Sequence, residues 1–340
     1  MEDLKGIELN AVSEWLNSHL NGLPAPYTFH LIPAGGSNLT YKVQASNNEW
    51  FVLRRPPISA RLATAHDMSR EYRLMNALKN TAVPVPEMLA YCDDDRVTGA
   101  HFYCMEMVPG ICLADLASVG DMTKAQCDTA TESLVDAQVA FHTVDLEAIG
   151  LNDFARHDGY VERQLKRWIK QIDAGKTRDV PLFNRLHDNL IRSIPIEQKP
   201  GLAHGDYRFD NCLLNGNFQV AAVLDWELCT IGDPAADFVW SLNYWSEPGE
   251  SLTWLLSPPT QHPNFCDRAQ VAKLYSERSG ISLDDMDWYT AFSWWKQAAI
   301  VEGVYNRLKK GATGGLKVDS IEAVADRVDQ YLAKAESLIL

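Results

Sequence analysis

The apolar pattern of the chain changes character at Pro109-Gly110, and this change sets the outer limits on its architecture. Ahead of it, Leu39, Tyr41 and Val43 alternate with Thr40, Lys42 and Gln44. Asn47-Asn48 then offers a turn before Trp50-Phe51-Val52-Leu53-Arg54, so the segment reads as consecutive antiparallel strands. Glu71, Met75 and Leu78 at i, i+4, i+7 predict a helix over 67–80. Pro84 and Pro86 break the chain, and two more strands are expected over 87–91 and 101–107, with Asp93-Asp94-Asp95 in the turn between them. After the dipeptide, helical spacing dominates over 134–142, 161–172, 288–308 and 321–340. Only 212–214 and 219–224 read as strands there, joined through a tight hairpin at Asn215-Gly216. The expectation is an α+β chain: a small antiparallel-sheet lobe over 1–108 and a larger, mainly helical lobe over 109–340.

Charge narrows the function classes. The chain has 31 basic and 45 acidic residues, a net charge of −14, which argues against nucleic-acid binding because a phosphate backbone is repelled. No stretch spans a membrane. The longest charge-free run, 16–41, is interrupted by Gly22, Pro24, Pro26, Pro33, Gly35 and Gly36. The seven cysteines are scattered without a C-x-x-C pair, and the start at Met1-Glu2-Asp3 lacks a secretory pattern. A cytoplasmic protein with buried, reduced thiols is expected.

The segment richest in chemistry is His204-Gly205-Asp206-Tyr207-Arg208-Phe209-Asp210-Asn211, followed by Leu224-Asp225-Trp226-Glu227. Phosphoryl transfer from ATP needs one carboxylate to orient and deprotonate a hydroxyl, and oxygen ligands to hold Mg2+ against the triphosphate. Asp206 and Asn211 stand five apart, as base and metal ligand do in H-R-D-x-x-x-x-N loops. The hairpin then returns Asp225 towards Asn211 as a second metal ligand. His204 reads as a loop-fixing hydrogen-bonding group, not a proton-transfer group.

These motifs, with Gly232-Asp233-Pro234-Ala235-Ala236-Asp237, resemble the aminoglycoside phosphotransferase family, small-molecule kinases with a bilobal protein-kinase-like fold. Phe51–Pro57, Ala65-His66-Asp67 and Arg70-Glu71-Tyr72-Arg73 are similar to the branch that includes kinase-like domains fused to acyl-CoA dehydrogenases. The resemblance implies Asp206 as catalytic base and Asn211 and Asp225 as magnesium ligands. It extends to Gly35-Gly36-Ser37-Asn38 as a phosphate-cradling turn, although the G-x-G-x-x-G pattern is absent. The lysine expected on the third strand is replaced by Arg54, which would pair with Glu71; Arg55, on the opposite strand face, is the fallback. Backbone groups of Glu106 and Val108 are candidates for adenine. Asp233 reads as a helix cap, Asp237 as the buried anchor of the catalytic loop, and Glu227 as an exposed turn carboxylate, with contact to metal or substrate as its alternative.

The acceptor is a small molecule with a hydroxyl. Glu247, Glu250, Asp284, Asp285, Asp287 and Glu302 offer carboxylates for an aminoglycoside. Arg163, Lys166, Arg167 and Lys170, or Arg307, Lys309 and Lys310, offer cations for a CoA ester. The stretch 248–263, with Trp254, Leu255 and Leu256, reads as a pocket wall or lid for a partly apolar acceptor such as a hydroxyacyl-CoA. A non-catalytic nucleotide-binding module and a magnesium-dependent hydrolase are the competing classes. Oligomeric state is left open.

Overall fold

The computed structural model describes residues 4–32, 38–58, 67–311 and 320–339. In chain order its elements begin with α1 (Leu9–His19), β1 (Thr28–Leu31), β2 (Leu39–Gln44), β3 (Trp50–Arg55) and α2 (Met68–Leu78). Next come β4 (Met88–Cys92), α3 (Asp95–Thr98), β5 (Phe102–Glu106), α4 (Leu116–Val119), α5 (Lys124–Thr143), α6 (Tyr160–Gly175) and α7 (Pro181–Arg192). The strands β6 (Gly201–Ala203), β7 (Cys212–Leu214), β8 (Val220–Val223) and β9 (Thr230–Gly232) precede α8 (Pro234–Leu242), α9 (Arg268–Ser279), α10 (Met286–Lys309) and α11 (Ile321–Ile339). No helix among the described residues is long and apolar enough to cross a membrane.

Two compact units form. The first comprises the described residues up to Cys112 with Asp145–Leu151 and Asp210–Leu228. Its described strands include an antiparallel sheet in the order β1-β2-β3-β5-β4. Strand alternation sends Tyr41, Val43, Phe51, Leu53, Phe102 and Cys104 to one face, where they pack with Val12 and Leu16 of α1. The opposite face carries Val52, Arg54 and Tyr103, with Arg54 and Tyr103 directly paired. Helix α2 is started by Asp67, whose carboxylate accepts from the backbone of Ser69 and Arg70. It buries Met68, Glu71, Leu74, Met75 and Leu78. The hairpin β7–β8 belongs to this unit.

The second unit comprises Leu113–Val144, Asn152–Phe209 and the chain from Cys229 onward. It is helical apart from the β6–β9 pair and is organised around α10, which packs against α11, α6 and α8. Trp295 of α10 is fully buried, and its indole donates to the Phe183 carbonyl.

Several sequence expectations need correction. α1 and β1 were not anticipated, and β6 and β9 escaped because three-residue strands buried on both faces show no alternation. The aspartates at 93–95 do not form a simple turn: Asp94 caps the one-turn helix α3. Asn215-Gly216 is not a two-residue turn. The loop spans 215–219 between paired Leu214 and Val220; Asn215 Oδ1 accepts from the backbone of Asn217 and Gln219, and Phe218 takes the left-handed position at φ 60°. None of the seven cysteines forms a disulfide, and Cys112 is exposed where a buried thiol was expected.

Gly201 opens β6 against the end of α5. A Cβ there would lie 2.1 Å from the His142 carbonyl oxygen and 2.9 Å from its carbon, both backbone atoms that cannot rotate away. Gly201→Ala is therefore expected to destabilise the second unit by about 2 kcal/mol or more, measured as a lowered denaturation midpoint by chemical unfolding.

Candidate functional site

The first unit gathers its functional candidates on the α2 side of the sheet. Arg54 leaves β3 with its side chain 11% exposed, and its Nη2 donates to Asp225 Oδ1 at 2.5 Å. Its Nε lies 3.6 Å from Glu71 Oε2, an ion pair rather than a hydrogen bond, and Nη2 is 3.8 Å from Glu227. Glu71 is 2% exposed. Burial pushes its carboxyl up against the opposing pull of Arg54. Burial alone would lower the guanidinium pKa, but Glu71, Tyr103 and Asp225 together hold it well above its ordinary value. Tyr103 is likewise pushed up, by burial and then by Glu71. Arg55 points to the other face, where Nε donates to the Pro56 carbonyl and Nη1 to the carbonyls of Gly6 and Thr98. The fallback is thereby removed.

Asp225 reaches Arg54 because the chain leaves β8 in a left-handed residue, with Asp225 itself at φ 63°. The indole of Trp226 donates to Val223 and anchors the turn. The backbone N–H of Leu224 donates to the Asn211 carbonyl at 2.8 Å, so the segments carrying Asn211 and Asp225 adjoin. Glu227 is not the exposed carboxylate expected: it is 22% exposed and accepts from Asn38 Nδ2 at 3.0 Å. Asn38 thus holds a side chain of the turn after β8, while Gly35, Gly36 and Ser37 lie outside the described residues. At the end of β5, the Glu106 N–H donates to the Glu87 carbonyl, and the Val108 backbone makes no hydrogen bond among the described residues.

The second unit holds Asp206. Its loop hangs on Asp237, whose Oδ1 accepts from Gly205 N at 2.8 Å and whose Oδ2 accepts from His204 N at 3.0 Å. His142 Nε2 also lies 3.0 Å from Oδ2, and His142 Nδ1 contacts the Tyr275 hydroxyl at 2.6 Å. Burial works to raise the Asp237 carboxyl, but the hydrogen bond and charge of His142, with His204 and Gly205, hold it below the ordinary range. Gly205 at φ 85° supplies the reversal that presents Asp206. Buried His204 accepts from the Asp206 N–H at 3.3 Å and so serves the loop.

Asp206 itself pairs with Arg208 at 3.3 Å, and the Arg208 guanidinium lies 5.0 Å over the ring of Tyr244. Tyr244 meets Trp254 edge-on at 5.2 Å, and Trp254 meets Trp240 at 4.6 Å. Lys296 Nζ sits 3.7 Å above the Trp240 ring. Tyr244, Trp240 and Lys296 escaped the sequence reading. The available signals were Trp240 and Tyr244 at i, i+4 after Asp237, and one cation in the aromatic run Trp294-Trp295-Lys296. Within the 248–263 stretch, the Thr253 carbonyl accepts from Arg327 and Tyr331 of α11. Two carboxylates considered for a cationic acceptor are already engaged, Glu250 by Arg268 at 2.5 Å and Glu302 by Arg178 at 2.8 Å.

Residues 28–256 match the family described as the phosphotransferase enzyme family. Acyl-CoA dehydrogenase family member 10 of Mus musculus is 35% identical over 288 residues, covering 82% of this chain and 26% of that protein. The chain spans between a quarter and two fifths of the length of the curated relatives it matches. A solved structure from Ralstonia eutropha, provisionally named an aminoglycoside phosphotransferase, is 32% identical with a TM-score of 0.82 over 97% of each chain. The ADP-bound aminoglycoside phosphotransferase APH(2'')-Ib shares the fold at a TM-score of 0.58 and 14% identity, covering 98% of this chain and 100% of that one. The chain belongs to the phosphotransferase enzyme family, as a small-molecule kinase of protein-kinase-like α+β fold.

Proposed function

We propose that the chain transfers the γ-phosphoryl group of Mg–ATP to a hydroxyl of a small molecule, with a hydroxyacyl thioester as the favoured acceptor. The observation that carries this reading is Arg54, held at once by Glu71 of α2 and by Asp225 of the β8 turn. A buried guanidinium between two carboxylates is a phosphate-binding cation with its counter-charges in place. The ADP bound to APH(2'')-Ib supports nucleotide use by this fold.

A carboxylate and an amide oxygen suit Mg2+, which is usually bound through one or two carboxylates plus substrate phosphates. Asp225 and Asn211 would hold the ion, and it would supply charge neutralisation on the triphosphate. Arg54 holds the phosphates, and Val108 offers its unengaged backbone to the base. Asp206, fixed through Gly205 and Asp237, accepts the hydroxyl proton. As the acceptor oxygen bonds to the γ-phosphorus, the bond to the β–γ bridging oxygen breaks and ADP leaves. No covalent enzyme intermediate is involved.

The arginine-bound Glu250 and Glu302 disfavour a polycationic acceptor, and the acyl-CoA dehydrogenase names of the relatives favour an acyl one. The test is ADP release on incubation with ATP, Mg2+ and either hydroxyacyl thioesters or aminoglycosides. Thioester-dependent release supports the reading; aminoglycoside-dependent release alone, or phosphate release without a phosphorylated acceptor, contradicts it.

Asp206→Asn is expected to lower kcat by about 10²–10⁴-fold with the ATP KM little changed, as steady-state kinetics would show. A non-catalytic module would be indifferent to the substitution. Arg54→Met should raise the ATP KM by about 10-fold or more, and Arg54→Lys should recover most of that loss. Thermal melting provides the control, because Arg54→Met also strands buried Glu71 at a cost of about 3–5 kcal/mol.

A further inference from the structure

Lys296 stands out among the charged groups of the second unit. Its ammonium lies over Trp240 at 3.7 Å, and among the described residues it has neither a hydrogen bond nor a carboxylate within 4.0 Å. Arg178, another partly buried cation of this unit, is matched by Glu302 and Asp329. Lys296 is only partly buried, and a cation set on aromatic surface with no protein counter-ion among the described residues is a place where a ligand can complete the pairing. Burial brings the ammonium down to about 8, with Asp237 and Asp206 opposing and Arg167 adding to the effect.

The surroundings repeat the imbalance. The indole N–H groups of Trp254 and Trp294 are buried with no acceptor among the described residues. Trp294 meets Trp254 at 5.4 Å, and Trp254 meets both Trp240 and Tyr244. The Tyr244 ring in turn lies under the guanidinium of Arg208, which pairs with Asp206. With Arg208 included, the aromatic set therefore runs without a break from the carboxylate assigned as base to the unmatched ammonium. It offers donors and a cation, together with flat apolar faces.

We infer that Lys296, seated on Trp240, is the acceptor-specificity residue: it receives the acyl oxygen of a hydroxy acid or its thioester while the hydroxyl of the same molecule is presented to Asp206. This rests on the phosphotransferase reading and adds to it what the acceptor carries besides its hydroxyl. A carboxylate and a thioester carbonyl share the chemistry required, a negatively polarised oxygen. A neutral alcohol lacks it, and a polycation is repelled.

The experiment uses three matched probes on the full chain: 3-hydroxybutyrate, its N-acetylcysteamine thioester and 1,3-butanediol. Binding is read by quenching of tryptophan fluorescence, and turnover by ADP release. Lys296→Met is expected to weaken binding of the acid, the thioester or both by about 10- to 100-fold, and to lower kcat/KM in step. It should leave 1,3-butanediol and the ATP KM unchanged, with Lys296→Arg staying within about 10-fold of the parent. Loss confined to the thioester assigns the carbonyl, and loss confined to the acid assigns the carboxylate; both support the inference. Equal behaviour of all three probes in the parent and Lys296→Met overturns it, as does failure of the parent to bind either acyl probe. Lys296-dependent binding without turnover of any probe keeps the inference and sinks the phosphotransferase reading. Turnover indifferent to Lys296→Met does the reverse.

Discussion

A guanidinium removed from water has to be met by carboxylates, and Arg54 recruits them from two separate places in the sequence. Glu71 arrives on α2, close by in the chain, whereas Asp225 is 171 residues away on the turn after β8. The ion pairs therefore tie the sheet, the helix and the hairpin into one unit. Strand parity is what makes this possible: Arg54 and Arg55 face opposite ways, and Arg55 is consumed by the carbonyls of Gly6, Pro56 and Thr98. The pair is no measure of net stability, since desolvation offsets much of its attraction. Its consequence is positional, because it fixes the Arg54 guanidinium beside the Asp225 carboxylate.

The second unit solves a different problem. Asp206 needs a fixed backbone and a receptive carboxylate, and Asp237 provides the first by accepting from two consecutive N–H groups and from His142. Every polar group in that anchor has a partner, so the loop is held by satisfied hydrogen bonds. The aromatic set beyond Tyr244 departs from this rule. There, buried donors and the Lys296 ammonium have no partner among the described residues. Within one unit, a fully satisfied anchor therefore stands beside a set of donors without acceptors among the described residues.

Much of this was legible in the sequence, and the exceptions have identifiable causes. The alternation in 39–44 and 50–54 located β2 and β3 because one sheet face is apolar throughout. The same alternation separated Arg54 from Arg55. Asp233 and Asp237 were readable as cap and anchor because Pro234 fixes the first turn of α8. Glu227 was misjudged because its partners, Asn38 and Arg54, are remote in sequence and only tertiary packing brings them to it. Lys296 was invisible for a related reason: α10 is buried on most sides, so its pattern carries no periodic face that would mark one lysine as out of place. The hairpin at 215–219 shows the limit of dipeptide rules, since Asn215 closes the loop through its own side chain and leaves the left-handed position to Phe218.

The proposed function requires Arg54 and Asp225 together to form a site for a metal-bound triphosphate. Calorimetric titration of the non-hydrolysable analogue AMP-PNP, with and without Mg2+, tests this directly in the parent and in Asp225→Asn. Mg2+ is expected to strengthen nucleotide binding to the parent by about 10-fold or more, and Asp225→Asn to abolish the gain. Equal strengthening by Mg2+ in both proteins, or nucleotide binding that ignores Mg2+ in the parent, would contradict it.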